Sequence, residues 1–206
     1  MFALVESGSI TRMSNGTQGI TIDGVQHPRT IFTLWTEAER NAIGIYTVEI
    51  DESKKKNEKW YINTNITYSF DGSKVTGSYG DATAKAYADT LYTEQNKTDG
   101  KIPEDKDVGD VAVEGLKTVL IREVKKQAQN ELNITDWYIT RKAEKDTAIP
   151  SSITTHRDAV RAKQAEMETA ITNASDTPAL ETLYTWTRQE DGSVTRPLGE
   201  LPTLED

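Results

Sequence analysis

The sequence predicts an α+β protein: an N-terminal β-rich domain with one short helix, followed by an antiparallel helical hairpin and a C-terminal β-hairpin and arm. Three observations carry that prediction. Apolar and polar residues alternate within short runs of the first part of the chain, the signature of half-buried strands. Two long stretches of the second part repeat apolar residues at helical spacing. A polar segment carrying Gly100 and Pro103 separates the two regimes. The expected boundaries are a β-rich domain over 1–93, a linker over 94–109, a helical module over 110–176, and a short helix, hairpin and extended arm over 177–206.

Phe2-Ala3-Leu4-Val5 is a short apolar strand, ended by the turn residues Ser7-Gly8-Ser9. Gly16, Gly19 and Gly24 punctuate the next stretch, and Pro28 closes it. Thr36-Glu37-Ala38-Glu39 is a capping box that opens a helix of roughly two turns, and Gly44 ends it. Tyr46, Val48 and Ile50 then alternate with Thr47 and Glu49 in a strand. A second strand is expected over Trp60–Phe70, with Trp60, Ile62, Ile66, Tyr68 and Phe70 on one face. Asp71-Gly72 turns it into a hairpin that returns through Val75 to Tyr79.

From Asp81 the composition shifts. Ala84, Tyr87, Ala88 and Leu91 stand at i, i+3, i+4 and i+7 and predict a helix. A longer one is expected over Asp110–Leu132, with Val113, Leu116, Leu120, Val124, Gln127 and Glu131 on its stripe and Val119 and Ala128 beside it. Another covers Ser152–Ala174, with Ile153, Val160, Met167 and Ile171 on its stripe and Pro150 before its start. Between them, Asn133–Arg141 is too long and too aromatic for a simple turn. Thr177-Pro178 starts a short helix through Tyr184, and Asp191-Gly192 turns a terminal hairpin. Leu198–Asp206, with one proline and three acids, reads as an exposed arm.

Composition excludes several classes of function. The net charge is −9, from 24 basic and 33 acidic residues, which argues against nucleic acid. The one dense basic run, Lys54-Lys55-Lys56, is bracketed by Asp51, Glu52 and Glu58 and reads as a solvated turn. Cysteine is absent, so disulfides, thiolate metal sites and cysteine nucleophiles are out. His27 and His156 lie far apart, Asp99, Asp105, Asp107 and Asp110 lack calcium-loop spacing, and no metal or cofactor is expected. The carboxylate pairs Glu37 with Glu39 and Glu166 with Glu168 have no apolar surroundings to raise a pKa, and no nucleophile elbow, phosphate loop or HExxH stands in the chain. Non-catalytic function is the expectation. The start, MFALVESGSITR, is too short and polar for a signal peptide, and no apolar run approaches a membrane span, so synthesis in the cytoplasm and no membrane partner are expected. Only 35% of residues are hydrophobic and the mean hydropathy is −0.63, low for a self-contained globule and in keeping with a chain that buries surface on partners.

One constellation rises above this background: Thr135-Asp136-Trp137, Arg141, Ile149-Pro150-Ser151, His156-Arg157 and Arg161. On physical grounds it is the corner of a helical hairpin. Thr135 or Asp136 caps a turn, Trp137 is the large anchor between two helices, and the arginines pair with carboxylates or stack on rings. The same residues carry a resemblance. A helix leading into T-D-W-x-x-x-R, an I-P-x-x break, and a helix opening with an aromatic-Arg pair and a second Arg are similar to a C-terminal module of double-stranded DNA phage tail proteins, tail-fibre assembly chaperones included. Thr135, Asp136, Trp137, Arg141, Ile149, Pro150, Arg157 and Arg161 match it, whereas His156 stands where the pattern has Tyr or Phe. The likeness covers residues 110 to 172, with a looser one at Met1–Gly8.

The resemblance implies a structural tail component, fibre- or baseplate-associated, present in many copies and bound to other tail proteins in the virion. A tail-fibre assembly chaperone that leaves the particle is the alternative. A carbohydrate-binding adhesin is a third, for which Trp60, Tyr61, Tyr68 and Tyr79 would supply stacking faces. The candidate anchors are Trp137, Arg141, Arg157 and Arg161 in the module, and Leu198, Leu201 and Leu204 in an arm expected to dock on a neighbouring subunit.

Overall fold

The computed structural model describes residues 1–204 and divides between Thr83 and Ala84 into two units. In the first, β1 (Phe2–Glu6) and β2 (Ser9–Ser14) pair antiparallel about Ser7 and Gly8, both at positive φ. Such mirror-image turns match the right-handed twist of the strands they join. β3 (Ile20–Ile22) and β4 (Val25–His27) repeat the device at Asp23 and Gly24. A single turn of helix, α1 (Ile31–Leu34), follows without a periodic signal in the sequence to announce it. α2 (Glu37–Ala42) opens with the capping box: the Glu39 amide donates to the Thr36 hydroxyl, and the Thr36 amide donates to the Glu39 carboxylate at 2.8 Å. Those bonds hold the Glu39 carboxyl below its ordinary range. Gly44 ends the helix at φ +80, and a Cβ there would sit 2.6 Å from the Val5 carbonyl oxygen.

β5 (Ile45–Asp51) runs antiparallel to β1. Beyond β6 (Tyr61–Ile62), β7 (Thr67–Phe70) and β8 (Val75–Ser78) form the Asp71-Gly72 hairpin, and β8 lies parallel to β5. The sheet order is β2-β1-β5-β8-β7. Leu4 and Ile45 pack with Ile20, Ile22, Ile31 and Phe32 in one cluster; Ala3, Val48 and Val75 pack with Ile10, Met13, Tyr46, Tyr68 and Phe70 in another. β2 approaches β7, so the sheet curls over the second cluster. The strand expected over Trp60–Phe70 is broken at Asn63–Ile66 because side chains there serve the backbone. Asn63 bonds both the amide and the carbonyl of Lys56 at 2.8 Å, and the Thr64 hydroxyl accepts the Gly80 amide at 2.6 Å. Ile62 consequently faces out, while Trp60 and Tyr61 are core residues rather than a stacking platform.

β9 (Thr83–Ala84) lies at the division. In the second unit the helix expected across Ala84–Leu91 does not form. The carbonyls of Ala86 and Tyr87 accept the amides of Leu116 and Lys117, and the Asp89 carboxylate accepts the Gly115 amide at 2.6 Å and the Thr118 hydroxyl at 2.8 Å. The segment is spent on the orphan donors of the next helix, which need partners from outside it. β10 (Thr90–Leu91) and β11 (Val111–Val113) pair antiparallel around residues 94–109, where α3 (Glu94–Thr98) is held by a second capping box at Thr93. The expected linker is therefore a loop inside the second unit, and the chain divides earlier, at Thr83/Ala84.

α4 (Leu116–Asn133), α5 (Asp136–Lys145) and α6 (Ser151–Asn173) follow. α4 starts later than expected because Val111–Val113 is taken into β11. Leu120, Val124 and Ala128 face Ile153, Val160, Met167 and Ile171, all buried. Lys117 reaches the Thr172 carbonyl, Lys125 reaches Glu168, and Arg157 reaches the Leu132 carbonyl, so the two long helices run antiparallel. α7 (Thr177–Tyr184) starts from Asp176, whose carboxylate accepts the Ala179 amide, and β12 (Thr187–Arg188) and β13 (Val194–Thr195) form the terminal hairpin. Among the described residues no helix is long and apolar enough to cross a membrane.

Candidate interaction surface

The Thr135–Arg161 constellation splits in two, one half inside and one half outside. Arg157 is 8% exposed. Its Nη1 donates to the Leu132 carbonyl (2.8 Å), the Thr135 hydroxyl (2.7 Å) and the Asp136 carboxylate (2.8 Å). Leu132 lies in the last turn of α4, where carbonyls have no helical partner and the dipole favours a cation. Asp136 is the first residue of α5, where an anion is favoured. One guanidinium thus fixes the end of α4, the start of α5 and the side of α6.

Trp137 takes the other direction. It is 52% exposed, not the buried anchor between the helices that its neighbours predict. Because Thr135 and Asp136 are turned inward by Arg157, the next residue of α5 points away from the α4–α6 seam. Its ring lies against Tyr138, with centroids 3.8 Å apart. Arg141, one turn later, stacks over both rings at 4.6 and 5.2 Å. The Arg141 Nε is buried against the rings and has no hydrogen-bond partner among the described residues. Ile134 and Ile139 are exposed on the same short helix and its approach. The result is a half-exposed Trp137 ring stacked with Tyr138 under the Arg141 guanidinium. Arg161 is half-exposed and 3.3 Å from Asp158, and it lines a small cavity with Ile139 and Ile149. α5 was legible in its charges, since Asp136 stands in its first turn and Lys142 and Lys145 in its last.

His156 is buried beside Arg157, with Nε2 3.3 Å from Glu131 Oε1 but without hydrogen-bond geometry. The expected exposed arm is instead folded back on its own unit. Leu198 is 2% exposed, and its amide donates to the Leu183 carbonyl at the end of α7. The Leu204 amide donates to Glu131 on α4 at 3.1 Å, and Leu201 and Leu204 are half-buried. The arm is held in cis at both ends, at the Leu183 carbonyl and at the Glu131 carboxylate. The part of the arm beyond Leu204 falls outside the described residues.

A second arginine stack stands nearby in sequence. Arg196 lies over Tyr184 at 5.2 Å and over Trp186 at 5.1 Å, and Trp186 is also 52% exposed. No group of three or more His, Asp or Glu side chains close enough to hold a metal ion occurs among the described residues. Asp99 and Asp110 are engaged within their loop, by Lys101 and by the Asp107 amide. Compared with models of known families, with curated proteins and with solved structures, the chain finds no match.

Proposed function

We propose that this chain is a structural component of a bacteriophage tail, fibre- or baseplate-associated, made in the host cytoplasm and acting through protein–protein contact at α5. One observation carries the reading: Trp137 is held half-exposed and pre-oriented under Arg141 on a corner that Arg157 makes rigid. Interface hot spots are enriched in Trp, Tyr and Arg, and a side chain already fixed in place loses little entropy on binding. The T-D-W-x-x-x-R resemblance supplies the identity of the partners, other tail proteins.

The test is made on particles. Trp137→Ala and Arg141→Ala should leave the circular dichroism of the purified protein unchanged and remove it from assembled phage, read by mass spectrometry of purified particles. A variant that still enters particles in full amount would show that α5 is not the contact. Full-length protein absent from particles, with fibres that fail to trimerise in its absence, would replace this reading with the assembly chaperone.

A further inference from the structure

The segment Arg196–Leu204 is a strap. Past a turn at Pro197 and Leu198 it has no helix or strand of its own through Leu204. It crosses from α7 past α6 to α4. Leu198 is bonded to the Leu183 carbonyl, Arg196 stacks on Tyr184, Gly199 abuts Lys163, and Leu204 is bonded to Glu131. Gly199 sits at φ +72, and a Cβ there would lie 2.8 Å from Lys163 Nζ, so the end of this α6 side chain lies against the strap. The Arg196 Nε donates to the Gly199 carbonyl at 3.1 Å and pairs with Glu200 at 2.6 Å, which shapes the entry of the strap. What fits this site is thereby on view: an extended segment with leucines at the first, fourth and seventh positions, Leu198, Leu201 and Leu204.

The connection that leads into the strap has the opposite character. Every residue from Thr185 to Thr195 is exposed, and β12 and β13 share only two residue pairs. An isolated two-stranded hairpin of that size is marginal in water. Opened, it becomes a tether of up to roughly 35 Å at about 3.3 Å per residue. The contacts of the strap with Leu183, Tyr184 and Glu131 can then be made on another copy without change, because each joins the strap to a helix. What cis docking gains over trans is only the effective concentration of a short tether, on the order of millimolar.

We propose that this site between α4, α6 and α7 is an exchange site, and that its occupant at high local concentration is the Arg196–Leu204 strap of a second copy of this chain. Two copies that trade straps close a two-fold dimer; a chain of one-way donations builds a longer array. The inference goes beyond the α5 reading and stands without it.

The test uses two defective chains. An acceptor ends at Thr195 and has an empty site; a donor keeps its strap but carries Glu131→Arg and Lys163→Glu, which spoil its own site. Neither can pair with itself by this route. Mixed at millimolar concentration they should form a one-to-one complex by light scattering, and the melting temperature of the acceptor should rise toward that of the full chain. Two separate species with no rise overturn the proposal. Should the acceptor not fold alone, the full chain decides instead, followed by light scattering from micromolar to millimolar. A dimer that appears near millimolar, survives Trp137→Ala and is lost with Leu198→Ala supports exchange. A chain that stays monomeric throughout, or whose dimer is lost only with Trp137→Ala, overturns it and leaves α5 as the sole contact.

Discussion

Arg157 and Arg141 belong to the same corner of the helical unit and live in opposite worlds. Arg157 is buried and meets three oxygens from two helix ends. Arg141 lies across the faces of Trp137 and Tyr138, and the Nε of both arginines is buried without a hydrogen-bond partner among the described residues. Three oxygens converge on one Arg157 nitrogen, so the first arrangement is specified tightly by geometry. Stacking on rings is tolerant of direction and of partner, so the second leaves something over for another molecule. The difference teaches where each half of a motif acts. Thr135, Asp136 and Arg157 build the corner; Trp137 and Arg141 are what the corner presents.

The sharpest way to break this contrast is Arg157→Ala. It removes the cation shared by the Leu132 carbonyl, the Thr135 hydroxyl and the Asp136 carboxylate and frees α5 from α6, although the Thr135 hydroxyl and amide still donate to Leu132. Removing one member of a buried charged pair costs about 3–5 kcal/mol, and the half-exposed Asp136 puts this case near the lower end, about 3 kcal/mol. Denaturant melting reads it. A loss below about 1 kcal/mol would mean that the corner is held by the α4–α6 seam alone and that the guanidinium is an ornament.

Leu198→Ala comes next, at about 2–3 kcal/mol, because a fully covered leucine leaves a cavity that a strap without helix or strand fills only in part. An effect as small as that of a surface substitution would return the arm to the exposed state that its composition implies. Trp137→Ala should fall well below both, at about 1 kcal/mol or less: the lost stacking with Arg141 and part of one ring's burial. A cost of several kcal/mol in the same melting experiment would restore Trp137 as the keystone and remove the case for α5 as a contact.

Which of these facts the sequence shows follows from how each is encoded. The stripe Ile153, Val160, Met167 and Ile171 is periodic, and all four side chains are buried. The capping box at Thr36 is local in sequence and forms as read. The turns at Asp71-Gly72 and Asp191-Gly192 are equally local, and Asp71 accepts the Lys74 amide and the Ser73 amide and hydroxyl, which draw its carboxyl down to about 2. By contrast, the failed helix over Ala84–Leu91 has the right periodicity, and only the need of α4 for capping partners far along the chain overrides it. The direction of Trp137 has the same origin, because it is decided by Arg157, twenty positions away. Nothing local to Leu198 in the sequence signals the helices that cover it. Long-range partners set all three, and a local pattern carries no information about them.

Tyr184 offers the smallest effect and tests the second arginine stack, where one ring is half-covered and its companion Trp186 is exposed. Burial pushes the Tyr184 phenol up to about 12; the Glu123 carboxylate pushes the same way, and Arg196 opposes them. In the unfolded chain a tyrosine titrates near 10. Between roughly pH 10 and 12 the unfolded chain has therefore given up a proton that the folded one keeps. The folded state binds more protons across that window, so stability is fully present below pH 10 and is lost as pH rises toward about 12. Solvent reaching the partly exposed ring trims the effect. Lysines ionise in the same range, so the comparison is made against Tyr184→Phe, in which they are unchanged. The denaturant midpoint of the native chain should fall further between pH 9.5 and 11.5 than that of the variant. Equal losses would mean that the phenol is as well solvated in the fold as out of it, and that Arg196 stacks on a surface ring at both of its contacts.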